Sequence, residues 1–172
     1  GLWGYINCAN ELKQDFESAN IAPDAIVSAT GSGGTLAGLI IGNALHDLNS
    51  RVIAFNVCDD EVYFKRKISK DFSLWRDRYG SNLDIDQLPI DVIDGYVGPG
   101  YGRATPKVFE TIREVARLEG IVLDPVYTGK AFNAMLQETR SGQFEGMSDI
   151  VFIHTGGMLG LFPQKQALFG SG

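Results

Sequence analysis

Six consecutive small residues, Thr30-Gly31-Ser32-Gly33-Gly34-Thr35, have the makings of an anion site. The apolar run Ala25-Ile26-Val27-Ser28-Ala29 before them reads as a buried strand, and Leu36-Ala37-Gly38-Leu39-Ile40-Ile41 after them as the start of a helix. Glycine lets a backbone approach a ligand closely. Amides left free in a first helical turn point at the same spot, where the helix dipole favours negative charge. Ser32 and Thr35 add hydroxyl donors. The loop is neither G-x-G-x-x-G, because Leu36 takes the third glycine's place, nor a Walker loop, because no Gly-Lys-Ser/Thr follows. A tight strand-to-helix turn that simply needs glycine is the competing reading.

Three further segments carry chemistry-bearing side chains: Gly98-Pro99-Gly100-Tyr101-Gly102, Asp124-Pro125-Val126-Tyr127-Thr128-Gly129 and His154-Thr155-Gly156-Gly157. A phenol can move a proton near an amine or carboxylate, and its ring can pack on a planar ligand. By residue type alone, each tyrosine reads as a core residue with a satisfied hydroxyl. Arg103 either meets a carboxylate or stays exposed, and His154 either supports the site or belongs to the core. Asp124, ahead of a proline, caps its turn, and His46 closes a helix. No Ser-His-Asp or His-Glu-x-x-His arrangement is visible.

The surrounding pattern says what holds these segments. Leu2, Tyr5, Ile6, Ala9, Leu12 and Phe16 fall near helical spacing and predict an amphipathic helix over 2–19. Strands are expected at 25–29, 51–57, 90–97, 121–123 and 150–154. Helices are expected at 34–48, from 59–61 to 79, at 106–119 and 129–140, and near 158–164. Asp59-Asp60-Glu61 places acids at a helix's positive end, and Thr105-Pro106 reads as an N-cap followed by proline. Alternating helices and strands imply an α/β fold, a three-layer, mostly parallel sheet. Ligands in such sheets collect at the carboxyl ends of the strands. The four glycine-bearing loops all follow strands and are expected to face one crevice.

Bulk properties exclude several classes. The 172 residues fit one domain, with a net charge of −6 and no basic footprint for nucleic acid. Lys65-Arg66-Lys67 lies among acids and reads as a solvated helix face. No apolar stretch reaches membrane-spanning length, and the start has no signal-type segment. It also lacks an initiator Met, so the expectation is a piece of a longer chain. Cys8 and Cys58 have no metal-ligand spacing and are expected reduced and buried, in a cytoplasmic protein.

Taken together and in order, the four glycine-bearing segments resemble the C-terminal half of the D-cysteine desulfhydrase and 1-aminocyclopropane-1-carboxylate deaminase family. These are pyridoxal 5'-phosphate enzymes of the tryptophan-synthase-β fold, and the likeness spans essentially all 172 residues. It implies that this chain is the large-domain portion of a fold-type-II enzyme. It implies that Thr30, Gly31, Ser32, Gly33, Gly34 and Thr35 hold the cofactor phosphate, that Thr155 hydrogen-bonds the pyridine nitrogen, and that Thr128 and Gly156 also bind cofactor. Tyr101 and Tyr127 would flank substrate and cofactor as the catalytic residues. The deaminases look to carry Glu at the position of Thr128 and Leu at that of Thr155, so threonine at both resembles the desulfhydrases. The implied reaction is β-elimination of D-cysteine to pyruvate, sulfide and ammonia, in a homodimer, with a small amino acid as substrate. Cyclopropane deamination is the first alternative, and a non-catalytic phosphate-binding module the second. One departure stands out: the family's Asn-Lys-x-Arg-Lys motif with the cofactor-binding lysine is not in these residues. The expectation is a lysine-bearing N-terminal part outside this chain, and no elimination by this chain alone.

Overall fold

β1 (Ala25–Thr30) is the middle of the molecule, and its six residues are all buried. An unbroken apolar strand of this kind needs cover on both faces, which only crossover helices supply. The computed structural model, which describes residues 1–169, shows that cover. On one side of β1 lies β2 (Arg51–Asn56), followed by β3 (Asp91–Ile93), and on the other side lies β4 (Ile150–Phe152). All three pairings are parallel, in the order β3-β2-β1-β4. The fold is therefore α/β with a parallel sheet, as the alternation predicts.

Period-two alternation sorts the strand residues between layers. Ile26, Val52, Ala54 and Val92 face a core formed with α1 (Leu2–Ala19), α2 (Gly34–Leu45) and α3 (Glu61–Tyr79). Ala25, Val27, Ala29, Ile53 and Phe55 face α5 (Thr128–Ser141). Outside α5, α4 (Pro106–Glu119) closes a third cluster with Leu123 and with Leu168 of α6 (Lys165–Phe169). Burying a side chain such as Phe55 stabilises the fold by roughly 1.5–3 kcal/mol.

The helix ends follow their sequence signals. Asp60 accepts from the Tyr63 amide at the start of α3, and Thr105 accepts from the Val108 amide ahead of Pro106 at the start of α4. α1 and α2 touch through glycine. A methyl at Gly38 would lie 2.4 Å from the Leu2 carbonyl and 2.6 Å from Tyr5 Cβ, so only hydrogen fits. Gly42, one turn on, meets Ala9 in the same way.

Three expectations need correction. Residues 121–123 form no strand: Leu123 is buried, but Ile121 and Val122 are exposed, and among the described residues β4 pairs only with β1. One side-chain bond, from His154 to the Val122 carbonyl, takes the place of a ladder there. The 90–97 strand contracts to Asp91–Ile93, because Asp94 turns to bond the Asn56 side chain and the Glu61 amide. Cys8 and Cys58 are both free but half-buried rather than buried. Among the described residues, no helix is long and apolar enough to cross a membrane.

Candidate functional site

From β1 the chain winds outward through β2 and β3, then returns past α4 and α5 to β4 on the other side of β1. The winding reverses between β1 and β4, and at such a switch point the loops diverge and leave a crevice. A cavity of about 470 Å³ lies there. Gly31, Ser32 and Thr35 line it from the β1–α2 side, Thr155, Gly156 and Gly157 from the β4 side, and Tyr101 and Tyr127 close it.

The β1–α2 side is a backbone cradle. Gly33 has φ 82°, a left-handed value that a side chain would strain, and its amide donates 3.2 Å to the Thr30 hydroxyl. That turns the chain directly into α2. No side chain caps the helix start, and its first turn holds no acid. The helix start is therefore left with amides that no side chain caps, next to Ser32 and Thr35, which line the cavity, an arrangement complementary to a phosphate. At Gly31 it is space rather than backbone angle that favours glycine: a methyl there would sit 2.9 Å from the Tyr127 ring. The six-residue loop thus divides its work. Gly31, Ser32 and Thr35 reach the cavity, whereas Thr30 and Gly33 are buried and shape the turn behind it. Gly34 opens the first turn of α2 outside this cavity's lining.

The opposite wall is held by buried polar side chains. Asp124 is fully buried, and its carboxylate accepts from four groups: the amides of Val126 (2.7 Å), Tyr127 (2.9 Å) and Thr128 (2.8 Å), and the Thr128 hydroxyl (2.7 Å). These bonds fold the 124–128 turn around the carboxylate and satisfy the amides that start α5. The Thr128 hydroxyl also accepts from the Asp124 amide. Thr128 is fully buried and does not line the cavity, which differs from the expected cofactor contact. Its hydroxyl is already engaged by Asp124.

Tyr127, at the N-cap of α5, meets Tyr101 from the 98–102 loop. Their hydroxyls are hydrogen-bonded, and their rings stand edge to face with centroids 5.9 Å apart. The bond to Tyr101, with burial second, pushes the Tyr127 phenol up to about 12. Tyr127 therefore stays protonated at neutral pH and can donate or accept within the pair. Tyr101 is more than half exposed and forms the outer lip.

Two residues at the site, Tyr5 and Cys58, escaped sequence reasoning. Tyr5 of α1 lines the cavity, brought there by the close α1–α2 approach at Gly38. On the helix pattern alone it was one more apolar-face residue; only the Gly34, Gly38, Gly42 spacing signals a helix contact. Cys58 donates to the Gly31 carbonyl, and burial pushes its thiol up to about 11. His154 accepts from the Gly156 amide at Nδ1, which leaves Nε2–H to donate to Val122. It braces the Thr155 loop from outside the cavity lining. Arg103 is exposed and has no ion pair among the described residues. No lysine lines the cavity, and no candidate metal cluster occurs among the described residues.

The family model for pyridoxal-phosphate dependent enzymes matches residues 1–156. The bifunctional D-cysteine desulfhydrase/1-aminocyclopropane-1-carboxylate deaminase of Arabidopsis thaliana mitochondria is 37% identical, over 99% of this chain and 43% of its own length. The D-cysteine desulfhydrase of Serratia proteamaculans is 32% identical, over 94% of this chain and 48% of its own. A crystal structure of an ACC deaminase homologue superposes with a TM-score of 0.86 at 34% identity, covering 98% of this chain and 49% of that one. The chain spans about half the length of the curated relatives it matches.

Proposed function

Because this chain belongs to the pyridoxal-phosphate dependent enzyme family, we propose that it forms the phosphate-and-tyrosine side of a lyase site that eliminates thiol from D-cysteine. The observation that carries this reading is the pairing of an uncapped α2 N-terminus with two hydrogen-bonded phenols across one cavity. The residues fit the cofactor. Ser32, Thr35 and the α2 amides would hold its phosphate, and Thr155 would meet its ring nitrogen with a neutral hydroxyl. When bound, pyridoxal phosphate supplies an electron sink for negative charge developing at a substrate α-carbon.

The chain's own residues do the rest. Tyr127 holds a proton at its hydroxyl and passes it through Tyr101, whose exposed position connects the pair to solvent. The Tyr101 lip and Tyr5 narrow access for water. With Thr128 turned to Asp124, Thr155 is the one of the two threonines that bears on substrate choice. A hydroxyl there, in place of the deaminases' leucine, favours the desulfhydrase reaction over ring opening. The products are pyruvate, sulfide and ammonia. The lysine that binds the cofactor covalently comes from a part of the protein outside this chain, and the whole protein is a homodimer.

The test measures sulfide from D-cysteine against 2-oxobutyrate from 1-aminocyclopropane-1-carboxylate, using the full-length protein. Sulfide release that falls at least about tenfold in Tyr127→Phe is the expected result. Predominant 2-oxobutyrate would overturn the substrate assignment. Purified 1–172 should show no absorbance band of covalently held cofactor; a band there would place the lysine within these residues. Light scattering on the full-length protein checks the dimer, and a monomer rejects it.

A further inference from the structure

The 98–102 loop carries Tyr101 but has no strand or helix of its own to hold it. Its main hold is a buried cation. Lys130 is 1% exposed, and its Nζ donates 2.7 Å to the Val97 carbonyl and 2.9 Å to the Gly100 carbonyl. It has no ion pair among the described residues. An ammonium removed from water without a carboxylate partner is costly, and burial lowers the Lys130 pKa accordingly. A hydrophobic residue of the same length would fill the space without that cost.

The placement of the two accepting carbonyls explains why a cation is there. Gly100 immediately precedes Tyr101, and Lys130 stands three residues after Tyr127 in the first turn of α5. One side chain therefore spans the backbones that carry the two phenols. The far end of the loop is tied separately, by Gln164 donating 3.0 Å to the Gly102 carbonyl. Beside the loop, a cavity of about 280 Å³ bordered by Val97, Gly98, Lys130 and Asn133 leaves room for the chain to sink once the cation is gone.

The geometry points to Lys130 as a positioning residue: its ammonium pins the Val97 and Gly100 carbonyls so that the Tyr101 hydroxyl reaches that of Tyr127. The consequence for turnover rests on the proposed role of the tyrosine pair; the pinning itself does not.

The two are tested separately. Photo-oxidative coupling of tyrosines on the purified chain reads proximity without cofactor or substrate, as a 101–127 dityrosine identified by peptide mass. Lys130→Met, with native circular dichroism and cooperative melting, should lower its yield by about fivefold, the effect of losing the net worth of roughly one hydrogen bond. Lys130→Arg, which keeps donors, should retain most of the yield, and Tyr101→Phe should abolish it. An unchanged yield in folded Lys130→Met overturns the inference. Should that variant not fold, hydrogen exchange on the wild-type chain decides. The Arg103 amide, which donates 3.2 Å to the Gly100 carbonyl, should then be as protected as the first turn of α5; exchange at the rate of an open loop overturns the inference. In the full-length holoenzyme, Lys130→Met and Tyr101→Phe should lower kcat non-additively, because the lysine acts through the tyrosine. Additive losses overturn that route. If Tyr101→Phe leaves kcat unchanged, the proposed catalytic role fails while the cross-linking result still decides the pinning.

Discussion

The two walls of the crevice are built by opposite means. On the β1–α2 side, backbone does the holding: a fully buried strand, a left-handed glycine and an uncapped helix start, backed by a helix that approaches to glycine contact. On the tyrosine side, irregular loops are shaped by two buried polar side chains, Asp124 and Lys130, which together make six hydrogen bonds. The first design suits an anion that needs amides at fixed positions. The second places side chains whose reach can be altered by substituting the residue beneath them. A cradle of backbone resists sequence change except at its glycines, whereas a wall of buried polar groups depends on every partner being present.

The largest expected effect breaks the tyrosine wall. Asp124→Ala leaves the amides of Val126, Tyr127 and Thr128 without an acceptor beside α5. Urea denaturation should show a loss of about 3–5 kcal/mol, since each unsatisfied buried group costs about 1–3 kcal/mol. A loss below about 1 kcal/mol would mean that packing, not the carboxylate, holds the turn.

Next comes the backbone wall. Gly38→Ala forces a methyl into the Leu2 carbonyl and Tyr5 Cβ, and overpacking of this kind costs about 1–3 kcal/mol. It should also weaken pyridoxal-phosphate binding, measured by fluorescence quenching, because Tyr5 and the α2 start move together. Full stability with native affinity would show that the two helices slide freely, against the rigid cradle described above.

The smallest effect lies at the end of the sheet away from the crevice and should touch neither wall. Asp24 accepts from the Asp149 and Ser148 amides and the Ser148 hydroxyl, bonds that hold its carboxyl below the ordinary 3.8. With its folded pKa depressed, Asp24 contributes stability that is present above the ordinary value and lost as pH falls through the folded value. Thermal melting across acidic pH should show that loss in the wild-type chain and a shallower slope in Asp24→Asn, with unchanged cofactor binding. Equal slopes would remove Asp24 from the account.

The contrast between the walls also explains what was legible in the sequence. The cradle is local, so its strand, glycine turn and helix all lie within about one βα unit and can be read off Ala25 to Ile41. Asp124 was legible as a cap because it stands directly before the amides that it binds. Lys130 was not, because its acceptors lie 33 and 30 residues away, and nothing in Gly129-Lys130-Ala131 distinguishes a buried latch from a surface lysine. Tyr5 was hidden for the same reason, and the 121–123 strand was overread because apolar β-branched residues can line a loop as well as a ladder.

By itself the sequence determined the alternation of helices and strands, the glycine turns at four loops and the phenols within them, because propensity, period and turn chemistry act over a few residues. Only the tertiary structure decided which of those residues reach the cavity. The order β3-β2-β1-β4 brings the loops at Gly31 and Thr155 to one switch point, 124 residues apart in the chain. Burial then divided two threonines of identical chemistry: Thr155 lines the crevice, and Thr128 turns away to Asp124. Hydrogen-bond satisfaction in a dry interior is set by what lies nearby in space, and spatial neighbours are chosen by the packing of the whole chain.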